Sequence, residues 1–403
     1  MQRWVDSTDP PRHREAKPFK SESAKTGLII IDCREPSKSI HLAAGTVVTW
    51  RSGPGNTTWR AGPRKMSHRP HLLCTLLALL IAGGFFSFGD EHARILGSQM
   101  DYLRRLPKFD YLAPRTVDEV CLKLARDSGE ARLLAGGTDL ILQMRRRKAV
   151  PRYLIGLKGV PDLAFIRSQS DGTVAIGATT TIRAIECSPL IREKYDFLSQ
   201  TASEIGGPEI RHVATIGGNL SGALPCADFP APLIALGATV KVKSQRAERI
   251  LLLEEFFLGV GKTVAHPDEL LMEIRLPASS PFSGGTYLKF HDRHAMDMTT
   301  TGVAAFVTLD PERQLFRDVT IALTTSAPIP LRAKGAEAAL RGRALGKENL
   351  EEAARLACEE AEPRTSWRAS REFRLELIRT LTKRALTRAW EKVRVASNAG
   401  GKP

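Results

Sequence analysis

No two cysteines of this sequence stand in a C-x-x-C spacing: Cys33, Cys74, Cys121, Cys187, Cys226 and Cys358 are scattered along the chain. Neither a zinc ribbon nor an iron–sulfur cluster held by the chain itself is therefore indicated. It leaves reduced thiols, and with them a cytoplasmic location, as the default. His212, His291 and His294 also lack metal-ligand spacing and read as structural or solvent-facing, so no metal site is expected. No G-x-G-x-x-G follows a strand-like segment, which argues against a Rossmann domain. The stretch LGVGKT, Leu258–Thr263, approximates a phosphate-binding P-loop, but Phe256 stands where that motif requires its first glycine. The formal charge of +15 accompanies no helix-turn-helix, zinc-finger or RNA-binding signature, so nucleic acid is not an expected partner. The densest basic run, Arg145–Lys148, reads as a solvated helix end, and a basic face on one subunit of an acidic complex is another plain account of the charge.

What is present is the composition of a soluble globular protein, 42% hydrophobic and 26% charged over 403 residues, enough for about two or three domains. The beginning of the chain fits that description poorly. Residues 1–65 are rich in Pro, Arg, Gly, Ser and Thr and show no sustained helical or strand period. The apolar run Leu72–Phe88 follows basic residues and lies near the lower length limit of a membrane span, or matches the apolar region of a signal peptide. Anchors and export signals normally begin a chain, however. Residues 1–99 are therefore expected to be a non-native or poorly ordered extension, with translation starting near Met100.

From Met100 the pattern becomes regular. FDYL predicts a short strand, and T-V-D-E, with Thr116 as N-cap and Glu119 three residues on, is a capping box that opens an amphipathic helix. Val117, Val120, Leu122, Leu124 and Ala125 are expected to form its buried face. Leu133–Ile141 reads LLAGGTDLI, followed by a helical LILQM and a buried strand at Tyr153–Leu157, which together make a βαβ arrangement. Two adjacent glycines serve either a tight turn or the close approach of another backbone or ligand. Thr215–Asn219, TIGGN, repeats the logic, and Asp228 follows ten residues after Gly218. Two bare loops and one carboxylate are what a dinucleotide needs: N–H donors for its phosphates and an acceptor for a ribose hydroxyl.

In this order and spacing, AGGTDL, TIGGN, ADFPAPLIALGA, DELLMEIRLP and YLKFHDRHAMDMTTTGVAA resemble the FAD-binding medium subunit of molybdenum hydroxylases. That family includes the carbon monoxide dehydrogenase medium subunit, the flavin domain of xanthine dehydrogenase and the flavin subunit of 4-hydroxybenzoyl-CoA reductase. The resemblance covers about residues 100–390. It implies an α+β fold of the p-cresol methylhydroxylase type, with two subdomains clamping an extended FAD over residues 100–278. A C-terminal α+β domain of the CO dehydrogenase flavoprotein type would span 283–392, with 393–403 as a tail. It also implies that Ala135, Gly136, Gly137, Thr138, Asp139 and Leu140, together with Thr215, Ile216, Gly217, Gly218 and Asn219, surround the pyrophosphate. Asp228 would hold the ribose on the adenosine side, Leu271 would lie against the isoalloxazine, and Lys289 would sit beside that ring. Each has a plainer reading: Asp228 as a helix cap, Leu271 as core, Lys289 as an exposed strand lysine, and Cys226 as a small buried hydrophobe.

Two departures qualify the resemblance. PCADFP carries one cysteine and no cysteine-rich insertion, so the 4Fe–4S cluster of the benzoyl-CoA reductase subunit is not expected. AGGTD offers no histidine for covalent attachment, so FAD should be noncovalent. The implied function is an electron-transfer subunit of an oxidoreductase, with no general acid or base of its own. It would work beside a large molybdopterin subunit and a small subunit with two 2Fe–2S clusters, in a dimer of heterotrimers, and deliver electrons to NAD+ or another acceptor. A stand-alone flavin oxidase or dehydrogenase of the same fold, and a membrane-tethered noncatalytic scaffold, are the competing readings. Gly136→Val and Gly217→Val are each expected to abolish FAD retention while leaving much of the fold.

Overall fold

The computed structural model describes the backbone of residues 30–31, 38–42, 46–53 and 56–61, and then residues 105–399 apart from 128, 294, 295 and 313. His294, Met100 and the apolar run Leu72–Phe88 lie outside the described residues. Among the described residues no helix is long and apolar enough to cross a membrane. The chain divides into two units, Met1–Ala93 and Arg94–Pro403.

In the first unit β1 (Ile30–Ile31), β2 (Lys38–Leu42), β3 (Thr46–Gly53) and β4 (Asn56–Ala61) form an antiparallel sheet in chain order. Sequence periodicity predicts none of these strands. TVVTWRSG is β-branched but does not alternate apolar with polar residues, so propensity alone marks it.

The second unit begins with the βαβ arrangement. β5 (Asp110–Leu112), β6 (Ala131–Leu134) and β7 (Tyr153–Gly156) pair in parallel in the order β5-β7-β6, connected by α1 (Val117–Arg126) and α2 (Leu140–Arg145). Thr116 Oγ1 accepts from Glu119 N–H at 3.2 Å. The Glu119 carboxylate accepts from Arg115 N–H at 2.7 Å, one residue further out than a capping box places it. The buried positions of α1 are Val117, Val120, Cys121 and Leu124. Leu122 and Ala125 are exposed, because the stripe i, i+3, i+4, i+7 that starts at Val117 passes through Cys121 instead.

A second subdomain follows. β8 (Ile166–Ser168) and β9 (Val174–Gly177) lead into six short helices: α3 (Ile182–Cys187), α4 (Pro189–Lys194), α5 (Asp196–Ser203), α6 (Pro208–Val213), α7 (Ile216–Ser221) and α8 (Pro230–Ala235). Then come β10 (Thr239–Lys243), β11 (Glu248–Leu252), β12 (Phe257–Gly259), β13 (Lys262–Thr263) and β14 (Leu270–Leu276). Five of these strands make an antiparallel sheet in the order β11-β10-β14-β9-β8. LGVGKT forms the β12–β13 hairpin, not a phosphate loop. Every residue of α8 is buried, as an all-round apolar helix requires. β14 joins the two subdomains: Leu270 packs into the core of the first, and its neighbours Leu271 and Ile274 pack into the core of the second.

The C-terminal domain is an antiparallel sheet of β15 (Ser283–Phe290), β16 (Thr301–Leu309), β17 (Phe316–Thr324) and β18 (Leu331–Arg332), covered by α9 (Lys334–Leu340), α10 (Lys347–Glu360) and α11 (Arg371–Ala399). Ile378, Leu381, Ala385, Leu386, Ala389 and Val393 of α11 all enter this domain's own core. The basic amphipathic C-terminal helix therefore spends its apolar face within the chain. The α+β class expected from the sequence is the one observed.

Candidate cofactor groove

A groove of about 730 Å³ is lined by residues of both subdomains, within the ~300–1,000 Å³ usual for ligand sites. Ala135, Gly136, Gly137, Thr138, Asp139 and Leu140 line it, as do Thr215, Gly217, Gly218, Asn219, Asp228 and Leu271. Ile216 and Lys289 do not: Ile216 is core, and the Lys289 side chain lies buried behind Asp228. Leu271 belongs to the core and also faces the groove.

The two glycine pairs differ in what they do. Gly137 has φ +77°, a conformation that side-chain-bearing residues avoid. At Gly136 a Cβ would stand 2.0 Å from the Val213 carbonyl oxygen, and at Gly217 it would stand 2.6 Å from the Ala178 carbonyl oxygen. The visitor that demands a bare backbone at both positions is therefore the protein's own main chain. The donors divide in the same way. Gly217 N–H donates to Ala178 C=O at 2.9 Å, Gly218 N–H to Thr215 Oγ1 at 3.1 Å, and Asn219 N–H to Thr215 C=O at 3.0 Å. The amides of Gly136, Gly137, Thr138 and Asp139 have no acceptor among the described residues. Anion-binding capacity thus sits on the first loop, while the second loop braces the wall opposite.

Two side chains in the groove are left short of partners. Asn219 Oδ1 is buried with no hydrogen bond. Asp139 makes no cap bond to α2, and burial pushes its carboxyl pKa up. Cys226, expected to be buried, is part-exposed on the groove wall, and desolvation raises its thiol pKa. His212 is exposed, with Nδ1 against Pro208 C=O at 2.7 Å, and His291 Nδ1 meets Arg293 C=O.

Asp228 is 6% exposed and does not cap α8, whose N-cap Phe229 makes no side-chain bond. Its Oδ1 accepts from Tyr287 OH at 2.8 Å and from Thr299 Oγ1 at 2.5 Å, and its Oδ2 pairs with Lys289 Nζ at 3.3 Å. Lys289 Nζ also donates to Glu204 C=O at 2.8 Å. Burial first, and the Asp228 charge second, hold the Tyr287 phenol well above its ordinary pKa, so it stays a donor. The two residues named separately from the sequence are thus one ion pair, of which Asp228 lines the groove and Lys289 does not. Tyr287 was not singled out from the sequence, although it stands two residues before Lys289 and strand alternation places both on one face. Thr299 carries no such signal.

Residues 107–279 match the FAD binding domain in molybdopterin dehydrogenase, and residues 286–389 match the CO dehydrogenase flavoprotein C-terminal domain. The carbon monoxide dehydrogenase medium chain of Hydrogenophaga pseudoflava is 34% identical over 286 residues, 71% of this chain and 98% of that one. The chain belongs to this family. A putative xanthine dehydrogenase FAD-binding subunit of Escherichia coli K12 is 33% identical over 282 residues, covering 70% and 94% of the two chains. A solved carbon monoxide dehydrogenase from Hydrogenophaga pseudoflava superposes with a TM-score of 0.69 over 71% of this chain and 99% of its counterpart. Quinoline 2-oxidoreductase from Pseudomonas putida 86 superposes with a TM-score of 0.67 at 28% identity. The chain is thus an FAD-binding subunit of the molybdenum hydroxylase family, a class of oxidoreductases.

The groove fits that cofactor on its own evidence. It supplies unpaired main-chain donors for phosphates, an orphaned amide oxygen and a carboxylate for hydroxyl or N–H groups, and apolar walls at Leu133, Leu134, Ile182 and Leu271. Thr215 keeps the second loop in place. Thr215→Ala should cost about 1 kcal/mol through the lost N-cap and lower the flavin content of the purified chain, read as the ratio of flavin to protein absorbance. A flavin content equal to wild type would show that the second loop does not brace the site.

Proposed function

We propose that this chain holds noncovalent FAD as the electron-transfer module of a cytoplasmic molybdopterin-containing hydroxylase or dehydrogenase. A large molybdopterin subunit would transform the substrate, and a small subunit with 2Fe–2S clusters would deliver electrons. NAD+ or another acceptor would receive them, and the assembly would be a dimer of heterotrimers. When bound, the flavin supplies the redox chemistry, accepting and releasing electrons singly or in pairs.

The chain's own residues position it. The free amides of Gly136 to Asp139 are the donors for its diphosphate, and the Asn219 side chain offers an acceptor opposite them. Asp228, held on three sides, offers a carboxylate whose direction is fixed before any ligand arrives. The observation that carries the reading is the row of unpaired amides facing a groove that also holds a fully braced acid.

The test is the absorption spectrum of the purified chain, followed by acid precipitation. Flavin bands are expected, with FAD recovered entirely in the supernatant. Colour retained in the precipitate would contradict noncovalent binding. A chain that stays colourless after FAD is added would defeat the cofactor reading altogether.

A further inference from the structure

Beside the groove, the segment between α10 and α11 carries positive charge that the described residues balance poorly. Arg374 is 2% exposed, and its guanidinium donates to two neutral groups, Thr300 C=O and, at 2.9 Å, Ser366 Oγ. Its Nε has no hydrogen-bond partner among the described residues. Burial lowers its pKa first, Arg364 and Arg368 lower it further, and Asp292 is the carboxylate that opposes them. Arg368 lies over the Trp367 ring at 4.3 Å and reaches Met298 Sδ at 3.4 Å, and its Nε is also buried without a partner.

The surroundings are apolar and open. Trp367 is 83% exposed, Met296, Met298 and Phe373 are also exposed, and Met298 touches Arg368, the residue next to Trp367. Met296 and Met298 line the groove as well, so the patch continues from its rim. Exposed tryptophan, arginine and methionine are the residues that anchor protein interfaces. A buried cation short of counter-charge, as Arg374 is, is costly unless acids from outside the chain come near it. Together these features favour an acidic protein surface over a free anion.

We propose that Arg364, Trp367 and Arg368 form the docking patch for a carboxylate-bearing face of the partner subunit that delivers electrons, with the buried Arg374 guanidinium adding positive charge beneath it. This rests on the reading of the chain as one subunit of a complex. The position suits the role, because an electron donor must sit close to the groove that holds its acceptor. Apolar anchoring falls to Trp367, and direct charge complementarity to Arg364 and Arg368.

The test uses the whole complex, purified with this chain as wild type, Trp367→Ala or Arg364→Glu. Both positions are exposed, so the fold is kept. The dissociation constant of the chain from its partners should rise about thirtyfold for Trp367→Ala, as for an interface anchor. The wild-type constant should also rise with added salt, and Arg364→Glu should flatten that dependence. Wild-type affinity in both variants, or binding that ignores salt, would overturn the patch. Flavin content is read on the same samples: a wild-type chain without flavin sinks the cofactor reading, whereas flavin-replete variants that bind normally sink only the docking surface.

Discussion

Gly136→Val should yield a chain that neither holds flavin nor keeps its fold. The added Cβ would stand 2.0 Å from the Val213 carbonyl oxygen, 2.7 Å from its carbon and 2.9 Å from the Ala214 Cα, all of them main-chain atoms with no rotamer to change. Either the first loop or the segment between α6 and α7 must move, at a cost above about 3 kcal/mol by comparison with overpacked cores. The sequence-based expectation that much of the fold survives is thereby revised. Gly136→Ala should fail in the same way, because the clash is with the β-carbon itself. Gly137→Ala is the informative contrast. Its Cβ would meet two flexible side chains, Leu134 Cδ1 at 3.0 Å and Ile141 Cγ1 at 3.2 Å, so the loss is mainly the left-handed backbone, about 1–2 kcal/mol. Thermal unfolding together with flavin-to-protein ratios would separate the three. A Gly136→Ala protein that melts like wild type would show that the two backbones do not approach as described.

The second large effect is expected at Asp228. Asp228→Ala leaves the buried Lys289 ammonium with the Glu204 carbonyl as its one hydrogen-bond acceptor among the described residues and the Glu204 carboxylate as a more distant counter-charge, and it removes the Asp228 acceptor from Tyr287 and Thr299. Breaking one side of a buried pair in this way destabilises by about 3–5 kcal/mol, most of it from the charge left behind. Flavin retention should be lost as well. The double variant Asp228→Asn/Lys289→Met removes both charges and should recover a large part of the stability without restoring flavin binding. Urea unfolding of the flavin-free proteins reads the first quantity and absorbance reads the second. A single variant within about 1 kcal/mol of wild type would mean the pair contributes no more than an exposed ion pair does.

These results bear on how far the chain could be read without coordinates. The N-cap at Thr116, the parallel βαβ unit and the position of the first loop were legible because each is a local pattern with a local cause. The error on α1 was one of phase: Leu122 is apolar, but the stripe runs through Cys121. The glycine pairs announced that something comes close, and nothing local could say that the visitors were Val213 and Ala178. Asp228 and Lys289 are 61 residues apart, and no periodicity couples them, so motif matching assigned them to different ends of one ligand. Only the side-chain hydrogen bonds from Tyr287 and Lys289 of β15 to Asp228 reveal a single unit. The same holds for the amides of the second loop, which look available in TIGGN and are taken by Thr215 and Ala178.

The placement of β14 has a kinetic consequence. Leu270 and Leu271 are adjacent, yet each is anchored in a different hydrophobic core. The two halves of the clamp therefore have no free hinge at that point, and spreading them means extracting one leucine from its packing. Exchange of a tightly held ligand should then be governed by rare local unfolding, with a rate that climbs steeply on warming and hardly responds to ligand concentration.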